Sequence, residues 1–213
     1  LDTVPGIAGH LMSASVMSAP AALVVAKIIF PETARSNNQE VNLSEEKSSV
    51  NAMDALGNGT IVGLKLAVNV GAMLISFISI IALLNYFLGL LGFSIETILG
   101  TIFRPLAWTM GIPWSESSAV GSLMGKKIVF TEFVAFADLK SLMDSKEISE
   151  RAAIITSYAL CGFANFGSIG IQLGGIGGIA PKRRKEIAQL IFKAMIGGAI
   201  ASWLTAALAG ILL

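Results

Sequence analysis

Charge is what this chain is short of. Only 14% of its 213 residues are Asp, Glu, Lys or Arg, where a soluble domain carries about a quarter, so an ordinary soluble globular fold is excluded. Histidine and cysteine are nearly missing, with one of each, His10 and Cys161. A lone cysteine inside an apolar run excludes a disulfide framework. A single histidine leaves metal catalysis unsupported, because no Cys/His cluster exists to hold a catalytic ion. No serine sits in a nucleophile elbow with suitable partners. Basic residues exceed acidic ones only by 15 to 14, so no global basic field points to nucleic acid.

What is present is apolar. Hydrophobic residues make up 54% of the chain and mean hydropathy is +0.74, the composition of an integral membrane protein. The chain begins at Leu1 rather than Met and soon enters an apolar segment, which reads as a fragment or a processed chain.

Residues 1–30 read as a first transmembrane helix, since 7–30 carry only His10 and Lys27 as ionisable groups and span one bilayer at about 1.5 Å per residue. Ala14, Ser18 and Ala22 recur at a spacing that lets a neighbouring helix approach closely. Residues 31–60, polar and charge-mixed after Pro31, read as a cytoplasmic loop. Residues 61–93 carry only Lys65 as a charge and exceed the roughly 20 residues a crossing needs. They read as a long, tilted scaffold helix. Residues 94–112 mix Glu96, Arg104, Pro105 and Trp108 with aliphatics and suit an interfacial helix.

Residues 113–139 hold two short apolar pieces around Gly125-Lys126-Lys127, each too short to cross. That is the pattern of a re-entrant helical hairpin, tolerated at membrane depth only inside protein or beside water. Residues 140–151 form a charged loop. Residues 152–180 read as a further crossing interrupted by "CGFANFGS" at 161–168, which places two glycines, an asparagine and a serine where plain aliphatics belong. The cluster Lys182-Arg183-Arg184-Lys185 in the loop 181–186 is the densest basic stretch and is assigned to the cytoplasm. Residues 187–213, with Lys193 as the one charge, form the final crossing.

A helix unwound at mid-membrane frees backbone groups and points half-helix dipole ends at a bound solute. Gly162 and Gly167 permit the break, while Asn165 and Ser168 supply side-chain hydrogen bonds beside it. The alternative is a kinked packing helix. Glu132 is the sharpest single residue. A carboxylate in an apolar hairpin arm is expensive unless paired or facing water, and it accepts two hydroxyl donors at once, as a vicinal diol offers. The alternative is a structural ion pair with Lys126 or Lys127. Glu116 and Ser115 suit a helix start. Phe163 and Phe166 suit stacking on a planar ligand or plain packing. His10 suits a proton relay or, as is commoner for a lone histidine near a helix end, a simple hydrogen bond, and Asn69 and Asn85 read as interhelical hydrogen bonds. The glycine run 174–178 has no preceding strand and is not a dinucleotide loop.

The stretches "GIPWSE" (111–116), "VGSLMGKK" (120–127) and "EFVAF" (132–136) resemble the second hairpin of the concentrative nucleoside transporters. "SYALCGFANFGSIGIQLGG" (157–175) resembles that family's unwound penultimate helix, and "GHLMSASVMSAPAAL" (9–23) with "GLKLAVNVGAMLISFISIIALLN" (63–85) its preceding spans. The resemblance implies an all-α integral membrane fold, a polytopic helical transporter with a re-entrant hairpin and an unwound transmembrane helix. It implies cation-driven nucleoside uptake by a homotrimer. The short loops, without large extensions, point to a bacterial inner membrane, the lack of a reactive constellation to no enzymatic step, and the near-zero net charge to no nucleic-acid partner. Glu132, Asn165 and Ser168 are expected to bind the ribose, and Phe163 to line the nucleoside pocket. No cofactor is expected beyond a coupling Na+ or H+, whose ligands belong to a preceding half that this chain does not contain. Thr131 departs from the asparagine usual before the hairpin glutamate. A non-transporting nucleoside receptor and an uncoupled permease are the rival functions.

Overall fold

The computed structural model describes Val4, residues 6–33 and residues 50–213. Among them the chain forms eight α-helices, a single 3₁₀ turn and no strand. Most of the loop expected at 31–60 lies outside the described residues.

Helix α1 (Ile7–Ile29) buries Ala14, Ala21 and Val25. Ala21 and Val25 pack on Ala201 of α8 (Arg184–Leu212). The contact seam therefore runs through positions 14, 21 and 25; of the expected small-residue stripe only Ala14 is buried, and Ala22 is exposed. Close approach is supplied from the other side by Gly197, where an added Cβ would stand 3.3 Å from Ile29.

Helix α2 (Ala52–Gly89) starts at Ala52 rather than at Ile61. The cause is a cap: Asn51 Oδ1 accepts from Asp54 N at 2.9 Å, and Asp54 returns a bond to the N–H of Val50 at 3.0 Å. At about 1.5 Å per residue the helix is about 57 Å long, nearly twice the hydrocarbon thickness. It buries only Ile81, and a helix apolar all round belongs in lipid or against further protein. With α1 and the stretch Pro181–Leu212, it is one of three helices long and apolar enough to cross a membrane among the described residues.

Helix α3 (Ile95–Thr109) is capped by Ser94, which accepts from Thr97 N. Asn85 of α2 fixes the elbow between the two helices, donating to Glu96 Oε1 at 2.7 Å and accepting from the N–H of Ile95 at 2.9 Å. Helix α4 (Ser117–Val129) lies directly on α3. A Cβ at Gly121 would fall 2.6 Å from the Gly100 carbonyl oxygen, and one at Gly125 2.8 Å from that of Glu96. Backbone touches backbone, the approach that small residues permit.

Helix α5 (Glu132–Asp144) follows α4 after Phe130 and Thr131. It absorbs the start of the charged loop expected at 140–151, so that loop contracts to residues 145–149, turned by Lys146 at φ 59°. Helix α6 (Glu150–Leu160) is capped by Ser149. The chain is non-helical at 161–165 and re-enters the helix as α7 (Phe166–Ile179). The basic cluster is less a loop than a helix start: the 3₁₀ turn Pro181–Arg183 passes straight into α8. A core cluster of Leu123, Met124, Ile155, Leu160 and Ala206 joins α4, α6 and α8.

Candidate functional site

Two turns meet at the centre of this arrangement. One is the α4–α5 turn, where the Phe130 N–H bonds Lys126 O at 2.8 Å and Thr131 is extended. The other is the break between α6 and α7. Two contacts bring them together: Lys127 Nζ donates to Ala159 O at 2.9 Å, and Ile128 shares a buried cluster with Ala164.

Gly162 makes the break sterically possible. Its φ is 112°, a conformation open to glycine and strained for a residue with a side chain. Neighbouring side chains take up the carbonyls that the break frees. Ser202 of α8 donates to Cys161 O at 2.7 Å, and Lys127 serves Ala159 O. On the far side of the break the first N–H groups of α7 have no intrahelical acceptor.

Asn165 and Ser168 form a reciprocal cap at that end. Asn165 Oδ1 accepts from Ser168 N at 2.7 Å, while Ser168 Oγ accepts from Asn165 N at 3.2 Å and donates to Asn165 O at 2.5 Å. Both residues are buried. The serine hydroxyl is therefore engaged in the cap, and the Asn165 amide NH2 is the donor that the cap leaves over. Phe163, between the two helices, is 68% exposed and packs on nothing in the core.

Glu132 opens α5. It is buried to 8% exposure, and neither carboxylate oxygen has a hydrogen-bond partner among the described residues. The ion-pair alternative fails in both its forms: Lys126 pairs with Asp138 on the next helix, and Lys127 bonds a carbonyl. A buried polar group left unpartnered costs about 1–3 kcal/mol, and more when charged. Its place in the first turn of α5 offsets part of that, since the helix N-terminus favours negative charge. Glu132 lines a cavity of about 310 Å3 with Phe133 and Phe136 of α5 and Ile7 and Leu11 of α1, at the small end of ligand-site volumes. Asn165, Ser168 and Phe163 do not line this cavity. The structure thus joins the turn of Glu132 to the break of Asn165 through the backbone and Lys127, not through a shared wall.

The other candidates have structural work. Glu116 sits at the start of α4 but makes no cap bond there; its Oε2 accepts from both the N–H and the hydroxyl of Ser149 at 2.9 Å, fastening α4 to the start of α6. His10 Nδ1 lies 3.2 Å from the Tyr158 hydroxyl. Asn69 lines a cleft of about 180 Å3 with Arg184, over the glycines of α7. One residue carries no signal in the sequence, and another takes a partner other than the one the sequence suggests. Arg151, in the segment read as loop, bridges Gly111 O at 2.5 Å and Gly210 O at 2.6 Å. Lys127, a candidate ion-pair partner for Glu132 in the sequence, bonds the Ala159 carbonyl instead.

Among the described residues, an unpartnered buried carboxylate and a broken helix stand beside three helices long and apolar enough to cross a membrane. The family model described as "Na+ dependent nucleoside transporter C-terminus" matches residues 10–210. The chain belongs to this family, as the C-terminal half of a concentrative nucleoside transporter. It is 44% identical over 210 residues to the "uncharacterized transporter YutK" of Bacillus subtilis (strain 168), covering 94% of this chain and 52% of that protein. Against the "nucleoside permease NupC" of Helicobacter pylori identity is 39%, covering 95% of this chain and 50% of that one. For the "sodium/nucleoside cotransporter 1" of Rattus norvegicus the identity is 38%, and the covered shares are 96% and 35%. The chain thus spans half or less of the length of most of these relatives. Among solved structures it resembles CNTnw in an outward-facing state with a TM-score of 0.84 at 38% identity, and CNTnw in an inward-facing substrate-bound state with 0.73 at 40% identity. Each comparison covers 95% of this chain and 50% of that one.

Proposed function

We propose that this chain forms the C-terminal half of a secondary active transporter that takes nucleosides into the cell by symport with a cation. The observation that carries this reading is Glu132, a buried carboxylate with both oxygens unspent. The 2′- and 3′-hydroxyls of a ribose are the donors it lacks, a vicinal pair matched to one carboxylate. The Asn165 amide adds a donor, Ser168 holds that amide in place through the shared cap, and the exposed Phe163 ring offers a face to the base. The α4–α5 pair acts as a re-entrant hairpin, and α6 with α7 as one crossing unwound at mid-membrane, so that half-helix ends face the solute.

The better fit to an outward-facing relative supports reading the arrangement described here as outward-facing. The basic start of α8 supports a cytoplasmic position for that end, in a bacterial inner membrane. The coupling ion is Na+ or H+, the family description favouring Na+, and its ligands lie outside this chain. The apolar surface of α2 serves a scaffold shared by three copies. Glu132→Gln in the full-length protein tests the site. Losing two charge-assisted hydrogen bonds raises the KM for uridine or adenosine by about tenfold or more, and a 2′,3′-dideoxynucleoside competes poorly with the wild type. An unchanged KM, or equal competition, removes the ribose assignment.

A further inference from the structure

We infer that the seam between α2 and α7 ends, beside the basic turn 181–185, in a binding site for the headgroup of an anionic phospholipid, held by Arg184 and Asn69 with Lys65 next to them. The site is separate from that of Glu132 and independent of any nucleoside.

Helices α2 and α7 lie against each other along the glycines of α7. A Cβ added at Gly170 would stand 3.0 Å from Met73, one at Gly174 3.4 Å from the backbone of Asn69, and one at Gly178 3.0 Å from Leu66. The numbers fall along α2 as they rise along α7, so the two run antiparallel and the seam ends where α8 begins. There it opens into the cleft of about 180 Å3, lined by Asn69 and Met73 of α2, Gly174 and Gly177 of α7, and Arg184. Gly177 leaves room for the arginine stem to lie across α7, with Cγ 3.5 Å and Nε 4.0 Å from where a Cβ would stand.

The polar groups of the cleft are unspent. Among the described residues Arg184 takes part in no ion pair, whereas its neighbour Arg183 is paired with Glu186 at 2.8 Å. Asn69, expected to bond a neighbouring helix, makes no side-chain hydrogen bond among the described residues, while Asn85 of the same helix finds Glu96. Lys65 stands one turn from Asn69 on the same face of α2, and the two line an adjoining hollow. Two cations and an amide thus surround an opening that no carboxylate lines among the described residues. A guanidinium fork matches the oxygens of a phosphate, and a basic pocket between transmembrane helices suits a phospholipid headgroup. The neighbouring surface favours a lipid over a phosphate from solution. Ile61, Leu64 and Val68 of α2 and Ile176 and Ile179 of α7 are exposed beside the cleft, an apolar bed for acyl chains next to a polar place for the headgroup.

The test follows the melting temperature of the full-length protein in neutral detergent as dioleoylphosphatidylglycerol or dioleoylphosphatidylcholine is added. Phosphatidylglycerol is expected to raise it saturably, and phosphatidylcholine far less. Arg184→Gln lowers the apparent affinity for phosphatidylglycerol by about tenfold. Asn69→Leu, at an exposed position where leucine suits a membrane helix, lowers it as well. Lys182→Gln and Lys185→Gln remove the same charge from the same turn but outside the cleft, and each lowers it by no more than about threefold. Every variant is compared with itself without lipid, which separates lost binding from lost stability. Equal losses at 182, 184 and 185 would reduce the effect to diffuse surface charge and overturn the inference. So would an unchanged affinity in Arg184→Gln, an equal rise with phosphatidylcholine, or an equal rise with inorganic phosphate.

Discussion

At Asn165 the two ends of one side chain have different duties. Oδ1 is committed to Ser168 N, and the amide NH2 has no part in the cap. Ser168 spends its hydroxyl entirely on Asn165. The two residues therefore separate in function although they sit in one motif. Ser168→Ala loses the returning half of the cap, which is worth about 1 kcal/mol; it is expected to lower the melting temperature in detergent while changing nucleoside KM less than Asn165→Ala does. A larger KM change for Ser168→Ala would put its hydroxyl on the solute. Glu132 was legible at this scale because a charge in an apolar run demands a reason. The three-residue spacing of Asn165 and Ser168 is a capping spacing, and the structure shows them capping each other. Lys127 was not legible, because only the fold shows that a carbonyl from α6 is waiting for it.

The helices were legible where hydropathy marks them and less so at their ends. Mean hydropathy has no way to register the Asn51–Asp54 cap, so α2 includes residues 52–60, which composition alone reads as loop. The same holds for the charged end of α5, which remains helical to Asp144. The break at 161–165 falls where Gly162 supplies the positive φ. The contact of α3 with α4 came only from the structure, since three glycines on two helices declare no partnership until the helices meet. Gly121→Val tests that contact. Its side chain would drive into the Gly100 carbonyl, and overpacking of this kind costs about 1–3 kcal/mol. The expected outcome is a lower melting temperature in detergent with the KM of any surviving transporter unchanged. An undisturbed melting temperature would mean that α3 and α4 stand further apart.

For the whole molecule, membership of the nucleoside transporter family is shown over residues 10–210, and what remains to be measured is what the full-length protein does. Among the described residues Glu132 has no hydrogen-bond partner, and a helix is opened at 161–165. These are costs to stability that a transported solute would offset each time it binds. The most direct test is uptake of radiolabelled uridine and adenosine into membrane vesicles containing the full-length protein, under an inward Na+ gradient, an inward proton gradient, or neither. The account predicts accumulation of at least one nucleoside above equilibrium under one gradient and not without it, and abolition of that accumulation at low substrate by Glu132→Gln. Equilibration that no gradient drives, or binding with no uptake at all, would contradict it.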